Sequence, residues 1–379
     1  MSYTERVRHH VYLVPGFFGF ANFGDFRYFA HVREHLLAWT RMRGIDAVIH
    51  YAPTFPTASL RRRAGRLLEL MAESADGDGP IHLIGHSTGG LDARLAVAPR
   101  ASLHCAVDPE PLASRVCSVV AVTSPHYGAP TAAFFTSLLG QRLLFLLSLV
   151  TIYAIRVGTI PLPALMVLAS ALGSAGAGRL IAGGVIEQVY DLVIKDFSPE
   201  RRLQIEQVFA QVRNDQTLLV QLTPEGLDLF NALATERDGV RRGCVVAQAK
   251  PPALGRQARV GPSPTNQAMY NVYRALYAIA STLPEHLLPV PDDAQAKVLI
   301  DAYGRIPSAK GNDAMVPTRS QVWGEVVHAA WADHLDVIGH FHAPHRAPLH
   351  VDWMRTMSDF GQREFEAMWD DVARFAFTT

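Results

Sequence analysis

Short apolar runs closed by turn residues alternate with helical periodicity through the first third of the chain. His10 to Val14 is a β-type run ended by Pro15-Gly16, and Ala47 to Tyr51 is a second run, ahead of the turn-rich Ala52-Pro53-Thr54-Phe55-Pro56. From Ala58 to Met71 the pattern turns helical, with leucines at 60, 67, 68 and 70 and Arg61-Arg62-Arg63 read as a solvated face. Pro80 opens a compact strand, Ile81 to Ile84. It is followed by Gly85-His86-Ser87-Thr88-Gly89-Gly90 and a helix, Leu91 to Ala98. Val116 to Val122 is the next strand, leading into Ser124-Pro125-His126-Tyr127-Gly128. This alternation predicts an α/β fold with a mostly parallel central sheet flanked by helices.

The character changes after Pro130. Residues 143–155 (LLFLLSLVTIYAI) carry no charge, 157–178 are uncharged with Pro161 and Pro163, and about 187–233 reads as polar and helical. Strand character returns at Gly243 to Ala249, and a Pro- and Gly-containing connection leads to a helix over Ala268 to Ser281. Residues 1–130 and 241–379 are therefore expected to form one catalytic domain, interrupted by an apolar helical lid or cap over 131–240. The 13 residues of the apolar run fall short of the roughly 20 that a bilayer span needs. A single span here would also separate the Ser87 and Asp313 halves of the chain. The expectation is a cap that packs over a site in water and opens on transient contact with a lipid or polymer surface.

Composition narrows the substrate. Of 379 residues, 49% are hydrophobic and 18% charged, which suits a large core. Lysine plus arginine and aspartate plus glutamate each total 35, so no net positive field points to nucleic acid. A small or lipid-like substrate is expected, and no partner protein. Cys105, Cys117 and Cys244 are too few for a disulfide scaffold and are read as reduced, buried thiols. The N-terminus has no apolar stretch of signal-peptide type before the first strand. The expected location is therefore cytoplasmic, or secreted if a leader was trimmed.

Gly85-His86-Ser87-Thr88-Gly89 is a G-x-S-x-G pentapeptide with a buried strand before it and a helix after it. That context forces the serine into a strained turn and lifts its hydroxyl above the sheet. Ser87 is thus the candidate nucleophile. The Thr88 amide at the start of the next helix is one oxyanion donor, and the Phe17 amide, after Val14-Pro15-Gly16, is the other. A serine needs a base, and the base an orienting acid, in the chain order serine, acid, histidine. Asp313, in Gly311-Asn312-Asp313-Ala314, and His334, in Ala332-Asp333-His334-Leu335-Asp336, fit that order. Read alone, Asp313 is equally an ordinary turn aspartate, and His340, His342, His345 and His350 compete with His334.

Together, Val14-Pro15-Gly16-Phe17, Gly85 through Arg94, Val122 through Gly128, Leu222-Thr223-Pro224 through Phe230-Asn231, Asn312-Asp313 and His334-Leu335-Asp336 resemble the bacterial true lipases of the Pseudomonas and Burkholderia type. The likeness covers about half the chain in separated blocks. It implies the α/β-hydrolase fold, with Asp313 and His334 completing a triad with Ser87. Two departures stand out: Pro15-Gly16 replaces the common His-Gly, and no secretion signal is evident. The family's structural calcium would be held here through Asp336, with Asp292, Asp293 or Asp301 as further ligand. No other cofactor is implied, and His340, His342 and His345 match no zinc pattern.

The reading that follows is a carboxylic ester hydrolase, a lipase or esterase with polyester activity as a sub-case, acting on hydrophobic acyl esters through an acyl-enzyme. An acyltransferase using the same triad is the near alternative. A non-catalytic lipid-binding protein on a hydrolase scaffold is the alternative of another class.

Overall fold

The computed structural model describes residues 7–17, 28–156, 160–173, 185–343, 352 and 354–378. Six strands, β1 (His9–Val14), β2 (Ala47–Tyr51), β3 (Ile81–His86), β4 (Val116–Val122), β5 (Arg241–Ala247) and β6 (Glu325–Ala330), form one parallel sheet in the order β2-β1-β3-β4-β5-β6. Their runs (VYLV, IHLI, SVVAV, CVVA) are apolar on both faces, as a doubly covered parallel sheet requires. Alternation then divides each strand between two cores. Tyr12, Val14, Val119 and Ala121 pack on one side, and Val11, Leu13, Val120 and Val122 on the other. Helices α1 (Val32–Met42) and, at the C-terminus, Gln362–Phe377 cover the second side through Leu36, Trp39, Phe365 and Trp369. Helices α2 (Leu60–Ser74) and α3 (Thr88–Val97) cover the first.

Chain direction reverses across the sheet between β1 and β3, because β1 leads outward to β2 and the chain then crosses back. Ligands in open α/β sheets settle in the crevice beyond the carboxyl ends of the strands at such a point. Val14 pairs in register with Gly85, so Gly16 and Ser87 emerge side by side there.

Between β4 and β5 the chain is helical: α5 (Pro130–Phe135), α6 (Leu138–Arg156), α7 (Leu162–Gly173), α8 (Val185–Ile194), α9 (Pro199–Asn214), α10 (Thr217–Gln221) and α11 (Pro224–Leu233), with α4 (Glu110–Ala113) ahead of β4. The polar stretch read as one region is broken where Ser198-Pro199 and Thr223-Pro224 start new helices. In each the hydroxyl accepts the amide three residues on, Arg201 at 3.4 Å and Gly226 at 3.3 Å. Leu143, Leu146, Leu149 and Val150 of α6 are buried among Leu165 of α7, Val193 of α8 and Phe209 of α9. The same core continues into Tyr270, Tyr273 and Leu276 of a helix from the chain's second half, Pro264–Ala280. The run's Leu143, Leu144, Leu146, Leu147, Leu149, Val150 and Tyr153 are thus buried against other helices. No described helix is long and apolar enough to cross a membrane. Of the thiols, Cys244 is buried, while Cys105 and Cys117 are half-buried, and all three are free.

Candidate active site

Ser87 sits between β3 and α3 with φ 55° and ψ −127°, a left-handed backbone that a serine rarely adopts. Its amide donates to the Val122 carbonyl at 2.8 Å, which ties the turn to β4. The flanking glycines are steric requirements. A Cβ at Gly85 would lie 2.2 Å from the Gly89 carbonyl oxygen, one at Gly89 2.2 Å from that of Val14, and one at Gly90 2.0 Å from Ser124 Oγ. Thr88 opens α3, so its amide belongs to the first-turn donors that have no partner within the helix, at the positive end of the helix dipole. A Cβ at Gly16 would meet the Ser87 Cβ at 2.6 Å, so the loop after β1 lies against Ser87, with Phe17 next along it.

Asp313 follows β5. Ala249 N–H donates to the Asn312 carbonyl at 2.8 Å, which fixes the loop to the sheet's end. Asn312 Oδ1 accepts the Ala314 amide, and Asp313 Oδ1 accepts those of Met315 (2.9 Å) and Val316 (2.7 Å), a turn helped by Ala314 at φ 81°. The fully buried Asp313 presents Oδ2 to His334 Nδ1 at 2.7 Å and receives Gln321 Nε2 at 3.2 Å. The His334 amide also donates to the Asp313 carbonyl at 3.0 Å. A carboxylate only accepts, so His334 carries its proton on Nδ1 and leaves Nε2 as the acceptor. Ser87 and His334 line one cavity. The rest of its wall is nearly all apolar and includes Phe17, Phe135, Leu144, Leu147, Leu222, Met315, Leu335 and Met354.

Of the competing histidines, His340 also lines this cavity, and both it and His342 have polar partners of their own. His340 Nε2 donates to the Tyr28 carbonyl at 3.1 Å, and His342 Nδ1 accepts from Arg355 at 2.8 Å. His345 and His350 lie outside the described residues.

Arg63 overturns the reading of a solvated arginine run. It is fully buried and clamps Asp92 of α3 with Nε (3.0 Å) and Nη2 (2.7 Å). Nη2 also reaches the Pro15 (3.1 Å) and Gly16 (3.2 Å) carbonyls and Thr88 Oγ1 (3.3 Å), and Nη1 reaches the Phe55 carbonyl. One guanidinium thus braces the loop after β1 against the first turn of α3. Burial pushes the Asp92 carboxyl up to about 6 against the pull of Arg63. The signal was in the spacing: Leu60, Arg63, Ala64, Leu67, Leu68 and Met71 form one helical stripe, whereas Arg61 and Arg62 lie off it and are exposed. Tyr28, His86 and Gln321 are further polar residues of the site that the motif reading passed over.

Asp336 is buried beside Asp333 and Asp352, with carboxylate oxygens of all three within 4.8 Å of one another. Burial, then the neighbouring carboxylate of Asp352, pushes Asp333 up to about 7. Burial and the charge of Asp333 push Asp336 well above the usual range. Arg355 at 4.0 Å from Asp352 offsets the charge only in part. An all-oxygen set of buried carboxylates fits a hard divalent cation such as calcium. The expected further ligands are corrected by the structure. Asp292 caps the helix Asp293–Tyr303, Asp293 lies in its first turn and Asp301 pairs with Lys297, all exposed and none in the cluster.

The topology, with a serine on the turn after one strand and a carboxylate and histidine on later loops, defines the α/β-hydrolase fold. The chain is similar to the metagenomic carboxyl esterase MGS0156 (TM-score 0.50, 16% identity, covering 98% of this chain and 76% of that one). It is similar also to EstA from Clostridium botulinum (0.50, 16%, 97% and 87%) and to the Staphylococcus hyicus lipase (0.50, 14%, 99% and 97%). At these identities the likeness establishes the shared fold. No family profile and no curated protein matches the chain.

Proposed function

We propose that the protein is a serine ester hydrolase acting on esters with hydrophobic acyl groups. The observation that carries the reading is His334, held by Asp313 at 2.7 Å through Nδ1, lining with Ser87 an otherwise apolar cavity. Ser87 Oγ attacks the ester carbonyl as His334 Nε2 takes its proton, and Asp313 holds the ring and balances the imidazolium. The amides of Phe17 and Thr88 stabilise the oxyanion. His334 then protonates the leaving alcohol, and water enters by the same route to release the acid. The fold shared with bacterial lipases and esterases supports this reading. The sequence blocks resembling the Pseudomonas and Burkholderia true lipases support it further.

Within this reading the helices of 131–240 act as the cap, since Leu144 and Leu147 of α6, with Leu219 and Leu222 of the α10 region, wall the cavity. Calcium would be held by Asp333, Asp336 and Asp352, where it neutralises the carboxylates flanking His334 and so steadies the histidine loop.

The test is hydrolysis of p-nitrophenyl esters from acetyl to palmitoyl, with and without added alcohol, by wild type and by Ser87→Ala, Asp313→Ala and His334→Ala. A preference for medium or long chains that collapses in all three variants supports the proposal. A Ser87→Ala enzyme at full rate sinks it, and faster transfer to alcohol than to water turns it into an acyltransferase.

A further inference from the structure

We infer that Tyr28 and His86 are positioning residues that hold the oxyanion loop in register with the catalytic histidine through one directed chain of hydrogen bonds. The inference rests on the serine-hydrolase reading and deepens it.

The direction of the chain is fixed link by link. His86, the residue before Ser87, is fully buried, and its Nε2 lies 2.9 Å from the His334 carbonyl oxygen. A carbonyl only accepts, so the proton is on Nε2. In a neutral ring Nδ1 must then accept, and it faces the Tyr28 hydroxyl at 2.7 Å. The Tyr28 proton is committed to that bond, which leaves the phenol oxygen to accept the Gly16 amide at 2.9 Å. Burial and the neighbouring His334 hold the His86 imidazole well below its ordinary value, in keeping with a neutral ring.

The chain therefore runs from Gly16 N–H to Tyr28, to His86, to the His334 carbonyl. It links the loop after β1, the strand that carries the nucleophile and the loop that carries the base. Pro15 has no N–H, so the anchors at this turn are the Gly16 amide and the two carbonyls that Arg63 grips. Tyr28 is itself held from behind, where His340 donates to its carbonyl. Because the Gly16 amide is taken by Tyr28, the donor to a developing oxyanion falls to Phe17. Tilting the loop moves that donor, while Phe135, Leu144, Leu147 and Leu222, on other elements, still wall the acyl pocket.

Tyr28→Phe removes one oxygen and keeps the ring. The experiment measures kcat and KM for p-nitrophenyl butyrate, the affinity of an alkylboronic acid that forms a tetrahedral adduct on Ser87, and the rate of Ser87 labelling by a fluorophosphonate. Expected are a fall in kcat on the order of 10-fold to 100-fold, KM within about 2-fold, and parallel losses in boronate affinity and labelling rate, as for a displaced oxyanion donor. Wild-type kinetics in Tyr28→Phe overturn the inference, as does a rise in KM with kcat intact. If Tyr28→Phe does not fold, His86→Gln breaks the chain from its other end and must show the same split between kcat and KM. If wild type cleaves no ester but labels at Ser87 faster than Tyr28→Phe does, the inference stands and the ester-hydrolase reading falls. No labelling of wild type counts against both.

Discussion

The two ends of the central sheet use histidine in opposite ways. At the carboxyl end, His334 Nδ1 faces the Asp313 carboxylate at 2.7 Å. At the amino end, histidines face one another. His9 Nδ1 lies 3.0 Å from His82 Nε2, with His82 Nδ1 2.8 Å from Ser118 Oγ, and His10 Nδ1 lies 3.1 Å from His50 Nε2. In such a pair one ring must donate and the other accept, so two charged rings cannot keep the bond. Burial lowers the pKa of all four, and that of His82 to about 3. One end sets an imidazole against a buried carboxylate, and the other holds its paired rings neutral. What separates His334 from the His9–His82 pair is the partner, a buried carboxylate in one case and a second imidazole in the other.

Activity separates the two ends most sharply. Ser87→Ala and His334→Ala should each cost on the order of 10^4-fold in kcat, whereas His82→Gln, at the far end, should leave kcat within about 2-fold. Ester hydrolysis checks this, and comparable losses at both ends would erase the distinction. Next in size is the polar frame under the site. Arg63→Met leaves Asp92 buried without its cation and should destabilise the protein by about 3–5 kcal/mol. The double variant Arg63→Met, Asp92→Leu should regain most of that. Denaturant midpoints measure it, and a silent Arg63→Met would mean that the pair contributes nothing net.

Much of this was legible in the sequence because it is local. β2 and β4 have the predicted boundaries, Ala47–Tyr51 and Val116–Val122, since short runs rich in β-branched residues leave little choice. The pentapeptide around Ser87 was readable for the same reason, as its glycines answer backbone contacts within one turn and the adjacent strand. Strand β6 was not. Its sequence, EVVHAA, is weakly apolar because it is the edge strand, and only β5 fixes it. Nor could pattern alone choose among the five histidines from His334 to His350, because Asp313 and His334 meet through tertiary packing across 21 positions. The third member of the acidic cluster, Asp352, lies outside every described helix and strand, so no periodicity marks it.

The buried carboxylates beside His334 give the next smaller effect. With calcium at 100 times its dissociation constant, stabilisation should be about 2.7 kcal/mol, seen as a rise in Tm that a chelator reverses. Asp352→Asn should abolish the rise, and it removes no group that touches the reacting atoms. An unchanged Tm at millimolar calcium would mean that the three carboxylates are balanced by protons alone.

The smallest effect tests the neutral end directly. His82 is 2% exposed, and its pKa is pulled to about 3 by burial first, then by His9 and Arg241. Its folded value lies below the unfolded value near 6.5. Its contribution is therefore complete above pH 6.5 and is lost as the pH falls toward 3, because the unfolded chain takes up the proton first. Between pH 7 and pH 5 that loss is about 2 kcal/mol for this one ring, at 1.36 kcal/mol per unit. His9, His10 and His50 act in the same direction, with Asp46 opposing at His9, Asp76 at His10 and His50, and Arg8 and Arg115 assisting at His10. Unfolding free energies of wild type and His82→Gln at both pH values isolate the ring. Wild type should lose about 2 kcal/mol more than the variant over that interval. Equal losses would show that His82 takes up its proton in the folded state as readily as in the unfolded one, and the amino end of the sheet would then not be built for neutrality.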